Sequence, residues 1–152
     1  MVLCQLRGEY LADPKYAETF VALARIHGTR IWPHAPVKNA EVLNKIQQAE
    51  KNFGMDKVEF LPYWNNGAVA RPSSESVKVS LYVRKNKVLL YVSNLGDKDI
   101  DEIITLDLKK AGLAGSNLKA EDVYAGGPVE LKAGNLKIHI KRHNFRMIVI
   151  AP

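Results

Sequence analysis

Two short stretches carry residue types that do chemistry. Arg7-Gly8-Glu9-Tyr10 offers a guanidinium, a carboxylate and a phenol, and Trp32-Pro33-His34 adds an indole and an imidazole. Each follows a short apolar run, over residues 2–6 and 29–32, that reads as a strand. Ligands of parallel α/β units sit beyond the carboxyl ends of such strands. Gathered there, Glu9, Trp32 and His34 suit a sugar, since charged groups bond hydroxyls and aromatic faces stack on the C–H surface of the ring. The plainer reading makes Glu9 a solvated loop residue, Trp32 a packing residue and His34 a loop residue between prolines. Tyr63-Trp64 is a second aromatic pair. It reads either as a stacking platform for carbohydrate or as an interdomain wedge, because large amphipathic aromatics suit half-buried junctions.

The other reactive residue types offer less. Cys4 is the only cysteine and sits in an apolar run, which predicts a buried, inert thiol. The four histidines lack the helical i, i+4 spacing of a metalloprotease motif, so no metal and no cofactor are expected. Lys141-Arg142-His143 with Arg146 is the densest basic cluster and reads as a solvated turn. Gly126-Gly127-Pro128 is a turn, not a phosphate loop, because no helix follows to supply free backbone N–H groups.

The elements that must position these residues change character near Gly54. Apolar Tyr16, Phe20, Leu23, Ala24 and Ile26 recur at roughly helical spacing over 12–27, with Asp13 as N-cap, Pro14 in the first turn and Gly28 as a stop. A second helix is predicted over 37–53, with Val42, Leu43, Ile46, Ala49 and Phe53 on one stripe and Gly54 ending it. With the two short strands this makes a β-α-β-α segment. Beyond Gly54 the period is two. Val77, Val79, Leu81 and Val83 alternate with Lys78, Ser80, Tyr82 and Arg84; Lys85-Asn86 turns the chain, and Val88, Leu90 and Val92 return. Tyr82 and Tyr91 are expected to pair across this hairpin on an exposed face. Further strands are expected over 104–108, 122–124, 129–131, 136–140 and 145–149. The fold expected is α+β: a β-α-β-α segment over 1–60, then an antiparallel β-sandwich of six or seven strands over 61–152.

Composition sets outer limits. The 152 residues are 47% hydrophobic and 25% charged, which describes a globular chain rather than a disordered tail, a collagen-like rod or a coiled coil. No apolar run reaches the roughly 18–20 residues of a membrane-spanning helix, so no membrane partner is expected. Lysine and arginine number 22 against 16 acidic residues, for a net charge of +6. Opposite charges are interspersed, so a nucleic-acid partner is not expected. The N-terminus lacks a basic n-region, so no signal peptide is expected, and the cytoplasm follows if Met1 is the native start.

A resemblance enters on particular stretches. Phe60-Leu61-Pro62-Tyr63-Trp64-Asn65-Asn66 resembles the exit from the last barrel helix in glycoside-hydrolase-like families. Lys87-Val88-Leu89-Leu90-Tyr91-Val92-Ser93-Asn94-Leu95-Gly96 resembles a strand of their C-terminal sandwich. Asp122-Val123-Tyr124 and the ending His143-Asn144-Phe145-Arg146-Met147-Ile148-Val149-Ile150 do so as well. The resemblance implies the end of a (β/α)8 barrel followed by an accessory sandwich. Two βα units cannot close a barrel of eight strands, and parallel strands need cover on both faces. The chain is therefore expected to be a fragment of something larger, or to cover that surface with its own sandwich or with a second copy as a homodimer. Glycoside hydrolysis normally needs two carboxylates about 5–10 Å apart; Glu9 could be one, Asp13 is better explained as a cap, and no second is found. The function expected is a non-catalytic segment of a carbohydrate-related protein, structural or glycan-positioning. The alternative is a stand-alone adaptor recognising protein or nucleic acid through a basic sandwich surface.

Overall fold

The computed structural model describes residues 13–30, 37–113, 115 and 117–152. Two helices, α1 (Pro14–Ile26) and α2 (Val37–Phe53), precede nine strands: β1 (Glu59–Leu61), β2 (Ala70–Pro72), β3 (Val77–Arg84), β4 (Lys87–Asn94), β5 (Ile100–Leu106), β6 (Lys119–Asp122), β7 (Pro128–Lys132), β8 (Asn135–Ile140) and β9 (Phe145–Ala151). Both helices fall where the apolar spacing places them. The Asp13 side chain accepts from Lys15 N at 2.9 Å, and Pro14 opens the first turn. The strand expected over 2–6 lies outside the described residues, as do residues 31 and 32 of the one expected over 29–32.

All nine strands belong to one antiparallel sheet, ordered β1-β3-β4-β9-β6-β7-β8-β5-β2. This corrects the expectation of a sandwich. There are not two separate sheets but one that curls into a half-barrel. The reason lies in β7, which changes partner along its length: Val129 pairs with Ala120 of β6, whereas Glu130, Leu131 and Lys132 pair with β8. Pairing therefore continues around the bend. β1 and β2, neither of them among the strands expected from the sequence, are the two edges. The Lys85-Asn86 turn is as expected, with Asn86 at φ 62° in the left-handed region that asparagine tolerates.

The curl has an inside and an outside. Val77, Val79, Leu81, Val88, Leu90, Val92, Ile104, Leu106, Leu136, Ile138, Ile140, Ile148 and Ile150 fill the inside. On the outside, Tyr82, Leu89, Tyr91, Phe145 and Met147 meet Val21, Ala22 and Ile26 of α1 and Leu43, Ile46, Ala49 and Phe53 of α2. β4 is thus covered on both faces, which accounts for the unbroken apolar run 88–92. Tyr82 and Tyr91 do meet, with ring centroids 5.7 Å apart, but under the helices rather than on an exposed face.

The polar positions of β3 hold the helices down. The last carbonyls of a helix lack intrahelical partners. Ser80 Oγ donates to Ile26 O (2.6 Å) and Tyr82 OH to Arg25 O (2.7 Å). Arg84 does the same for α2, donating to Phe53 O (3.0 Å) and Gly54 O (2.7 Å). Gly54 has φ 85°, the left-handed region that glycine adopts without strain, and an added Cβ would push the Arg84 guanidinium away from the carbonyls it serves. Residues that alternation assigned to a solvated face are therefore the seat of both helices.

α1 also departs from expectation in which side it buries. Ala17, Val21, Ala22, Ala24, Arg25 and Ile26 are buried, while Tyr16 and Leu23 are 44% and 46% exposed. The small alanines let the helix approach the sheet closely; of the spacing pattern Ala24 and Ile26 stay buried, while Tyr16 and Leu23 turn outward.

Candidate carbohydrate platform

Of the residues singled out for sugar binding, Glu9, Trp32 and His34 lie outside the described residues. Tyr63 and Trp64 sit just after β1, on a loop that turns at Pro62. The loop is pinned from beneath by the buried Asn66, whose Nδ2 donates to Leu61 O (3.1 Å) and Val79 O (2.8 Å) and whose carbonyl accepts from Val69 N (2.7 Å) and Ala70 N (3.0 Å). Ser80 Oγ, itself donating to α1, accepts from Tyr63 N at 2.9 Å. One hydroxyl thus ties the loop to the end of α1.

The loop presents a cluster of rings. Trp64 is 59% exposed, and its indole stacks on the His27 imidazole with centroids 5.7 Å apart and planes 29° apart. Tyr63 stands edge-on to both, 5.0 Å from Trp64 and 5.4 Å from His27. Phe60 backs Trp64 at 6.4 Å and reaches the buried Tyr82 at 4.9 Å. His27 Nδ1 lies 2.7 Å from Leu23 O, where it must donate, which leaves Nε2 to accept from Tyr63 OH at 3.4 Å. Lys78 Nζ sits 5.8 Å from the Tyr63 ring centroid. Beside the rings is a shallow hollow of about 190 Å³ lined by Tyr63, Ser73, Ser74, Glu75 and Lys78. That is smaller than the roughly 300–1,000 Å³ of an enclosing ligand pocket, so the surface is an open platform. The exposed indole can stack on one face of a sugar ring, and the hollow on the Tyr63 side of the cluster adds hydroxyls, an ammonium and a carboxylate.

His27 is the member that reading along the sequence missed, because it joins Trp64 only where β3 caps α1; Phe60 heads the stretch 60–66 but is not read there as one of the cluster's rings.

A second polar cluster lies below the helices. Arg25 pairs with Glu50 between the Tyr82 and Tyr91 rings, its Cζ 5.2 and 5.4 Å from their centroids, and Tyr91 OH donates to Glu50 Oε1 at 2.5 Å. Burial pushes the Tyr82 hydroxyl up to about 12, with Arg25 opposing, and drives Tyr91 well above the usual tyrosine range. Both stay protonated hydrogen-bond donors, and the cluster reads as an internal tie between the helices and the sheet. Arg146 leaves the basic cluster of the 141–143 turn and pairs with the buried Asp122.

The chain matches the model of the glycoside hydrolase 123 C-terminal domain over residues 43–150. No curated protein matches it in sequence. In fold it is similar to a glycoside hydrolase family 30 subfamily 8 xylanase from Clostridium acetobutylicum, at 14% identity and a TM-score of 0.64 over all of this chain and 42% of that one. It is also similar to an alpha-amylase from Geobacillus thermoleovorans, at 8% identity and a TM-score of 0.62 over 92% of this chain and 34% of that one. A family 27 β-L-arabinopyranosidase from Geobacillus stearothermophilus shares 15% identity and a TM-score of 0.57 over 91% of this chain and 30% of its own. The chain therefore spans less than half the length of each of these structures. With the family model covering most of its length, the chain belongs to the glycoside hydrolase 123 C-terminal domain family.

Proposed function

We propose that the chain is a non-catalytic accessory domain of a glycoside-hydrolase-like protein, supporting the architecture of its catalytic neighbour and anchoring glycan on the Tyr63–Trp64 platform. The observation that carries this reading is the exposed Trp64 indole, braced by His27 and Tyr63 on a loop that buried Asn66 holds still. A preorganised aromatic plane binds a sugar face without having to order a loop first. The platform anchors; the hollow beside it contributes one carboxylate, Glu75, where hydrolysis normally takes a pair.

Affinity electrophoresis through gels containing plant and microbial polysaccharides and mucin-type glycans tests this. Retardation by at least one glycan is expected, lost in Trp64→Ala and kept in Trp64→Phe. Retardation unchanged in Trp64→Ala, or none by any glycan, would overturn the anchoring role. Salt-sensitive retention on RNA or DNA instead would favour an adaptor that works through its basic residues.

A further inference from the structure

A cleft of about 640 Å³ opens where α1 and α2 end, and the Arg25–Glu50 pair lines it. That volume lies within the roughly 300–1,000 Å³ of a ligand pocket, unlike the hollow beside Tyr63. Met55, Val58 and the Phe60 ring make part of its lining apolar. Phe60 also backs Trp64, with centroids 6.4 Å apart, so a single ring separates the cleft from the platform. Arg30, Gln47 and Lys51 are exposed members of the lining.

Charge inside the cleft does not balance. Glu50 is already answered by Arg25 and by the Tyr91 hydroxyl, and Asp56 faces Arg84 at 3.9 Å. The last carbonyls of the two helices would repel an anion. Tyr82 donates to Arg25 O, however, and Arg84 to Phe53 O and Gly54 O, so these too are answered. Arg30 and Lys51 remain, and among the described residues neither makes an ion pair. The cleft of about 580 Å³ beside Tyr124 differs in this respect. Its cations Lys45 and Lys87 rest on the Tyr124 and Phe53 rings, each 5.0 Å from the centroid, and Glu121 shares the space.

We propose that the cleft between the ends of α1 and α2 binds the acidic group of a glycan, a carboxylate or a sulfate, through Arg30 and Lys51, with the Phe60 ring against the sugar. This rests on the glycan-anchoring reading above and deepens it by naming the substrate class as acidic rather than neutral polysaccharide. A guanidinium presents paired donors that match two oxygens of such a group, and an ammonium adds a point charge beside it.

Affinity electrophoresis of the full chain tests two acidic glycans, each beside its own neutral form, at about 150 mM salt so that diffuse attraction is screened. Polygalacturonate is compared with its methyl ester, and keratan sulfate with desulfated keratan. Stronger retardation by the acidic form is expected in one pair or both, and the pair that responds tells carboxylate from sulfate. Arg30→Gln with Lys51→Gln is expected to weaken that binding about three- to tenfold, as two half-exposed charge pairs would, and to leave the neutral forms as they were. Arg30→Lys with Lys51→Arg keeps both charges and is expected to recover most of the retention. Lys85→Gln with Lys109→Gln removes the same charge elsewhere and is expected to change nothing. An equal loss in that control, no recovery in the charge-keeping variant, or no gain by the acidic form in either pair would each overturn the site. Trp64→Ala reads the platform separately. Neutral retention lost in Trp64→Ala, with no gain by either acidic form, overturns the cleft and leaves the platform; an acidic gain that needs Arg30 and Lys51 but ignores Trp64→Ala does the reverse.

Discussion

α1 and α2 lie side by side over the same face of one sheet, and β3 caps the C-terminal end of each. They differ in what they show to the outside. α2 buries Leu43, Ile46, Ala49 and Phe53 and presents charge and amide groups to water, as an amphipathic surface helix does. α1 buries mostly small side chains and turns Leu23 and Tyr16 outward. The same periodicity argument, applied to both, finds the buried stripe of α2 and picks out for α1 a stripe whose Tyr16 and Leu23 face away from the sheet. Large apolar residues at helical spacing mark a face that needs cover, but they do not say which neighbour supplies it.

Several substitutions would break or sharpen that contrast. The largest effect is expected at the tie between the two helices. Arg25→Ala leaves Glu50 poorly solvated without its partner and is expected to cost about 3–5 kcal/mol in denaturant unfolding; a cost near zero would mean that the helices stay docked through apolar contact alone. Ile46→Ala, on the buried stripe of α2, is expected to cost about 2–5 kcal/mol. Ser80→Ala removes the hydroxyl that serves both α1 and the platform loop, at about 1–3 kcal/mol. It is also expected to weaken glycan retention, because Tyr63 loses its backbone anchor; stability lost with retention intact would separate the two roles.

Alkaline pH probes the buried tyrosines beneath both helices. The folded pKa of Tyr82 is raised from 10.0 to about 12, so the folded state holds the proton more tightly than the unfolded chain. Stability from this group is fully present below about pH 10 and is lost as pH rises toward 12. In Tyr82→Phe the decline over that window is expected to be shallower; an unchanged slope would assign it to other groups.

The smallest effect is expected at Leu23. In the 152-residue chain Leu23→Ala is expected to change stability by no more than about 0.5 kcal/mol, because the side chain faces outward. A cost like that of Ile46→Ala would mean that the stripe is already covered within this chain.

How much of this was legible residue by residue varies with distance along the chain. Caps and turns are local: Asp13, Pro14, Gly28, Gly54 and the Lys85-Asn86 turn all act where their types suggest, because each satisfies a backbone requirement within a few residues. The β3–β4 hairpin is equally local. The curl is not. Two separate sheets and one continuous sheet need the same alternation in each strand, and they differ only in whether β7 passes from β6 to β8. The site follows the same rule. Tyr63 and Trp64 stand out as adjacent aromatics, whereas His27, more than thirty residues earlier, joins them only through the docking of α1 on β3.

What the sequence determined alone was the two helices with their caps, the β3–β4 hairpin, and an aromatic pair placed where helices give way to strands, since these depend on short-range periodicity and backbone preference. The tertiary structure decided which faces those elements bury: Tyr82 and Tyr91 under the helices, Leu23 turned outward, and Ser80 as the hinge between helix and platform. Burial is a property of the neighbours that meet a side chain, and for this chain those neighbours come from distant strands.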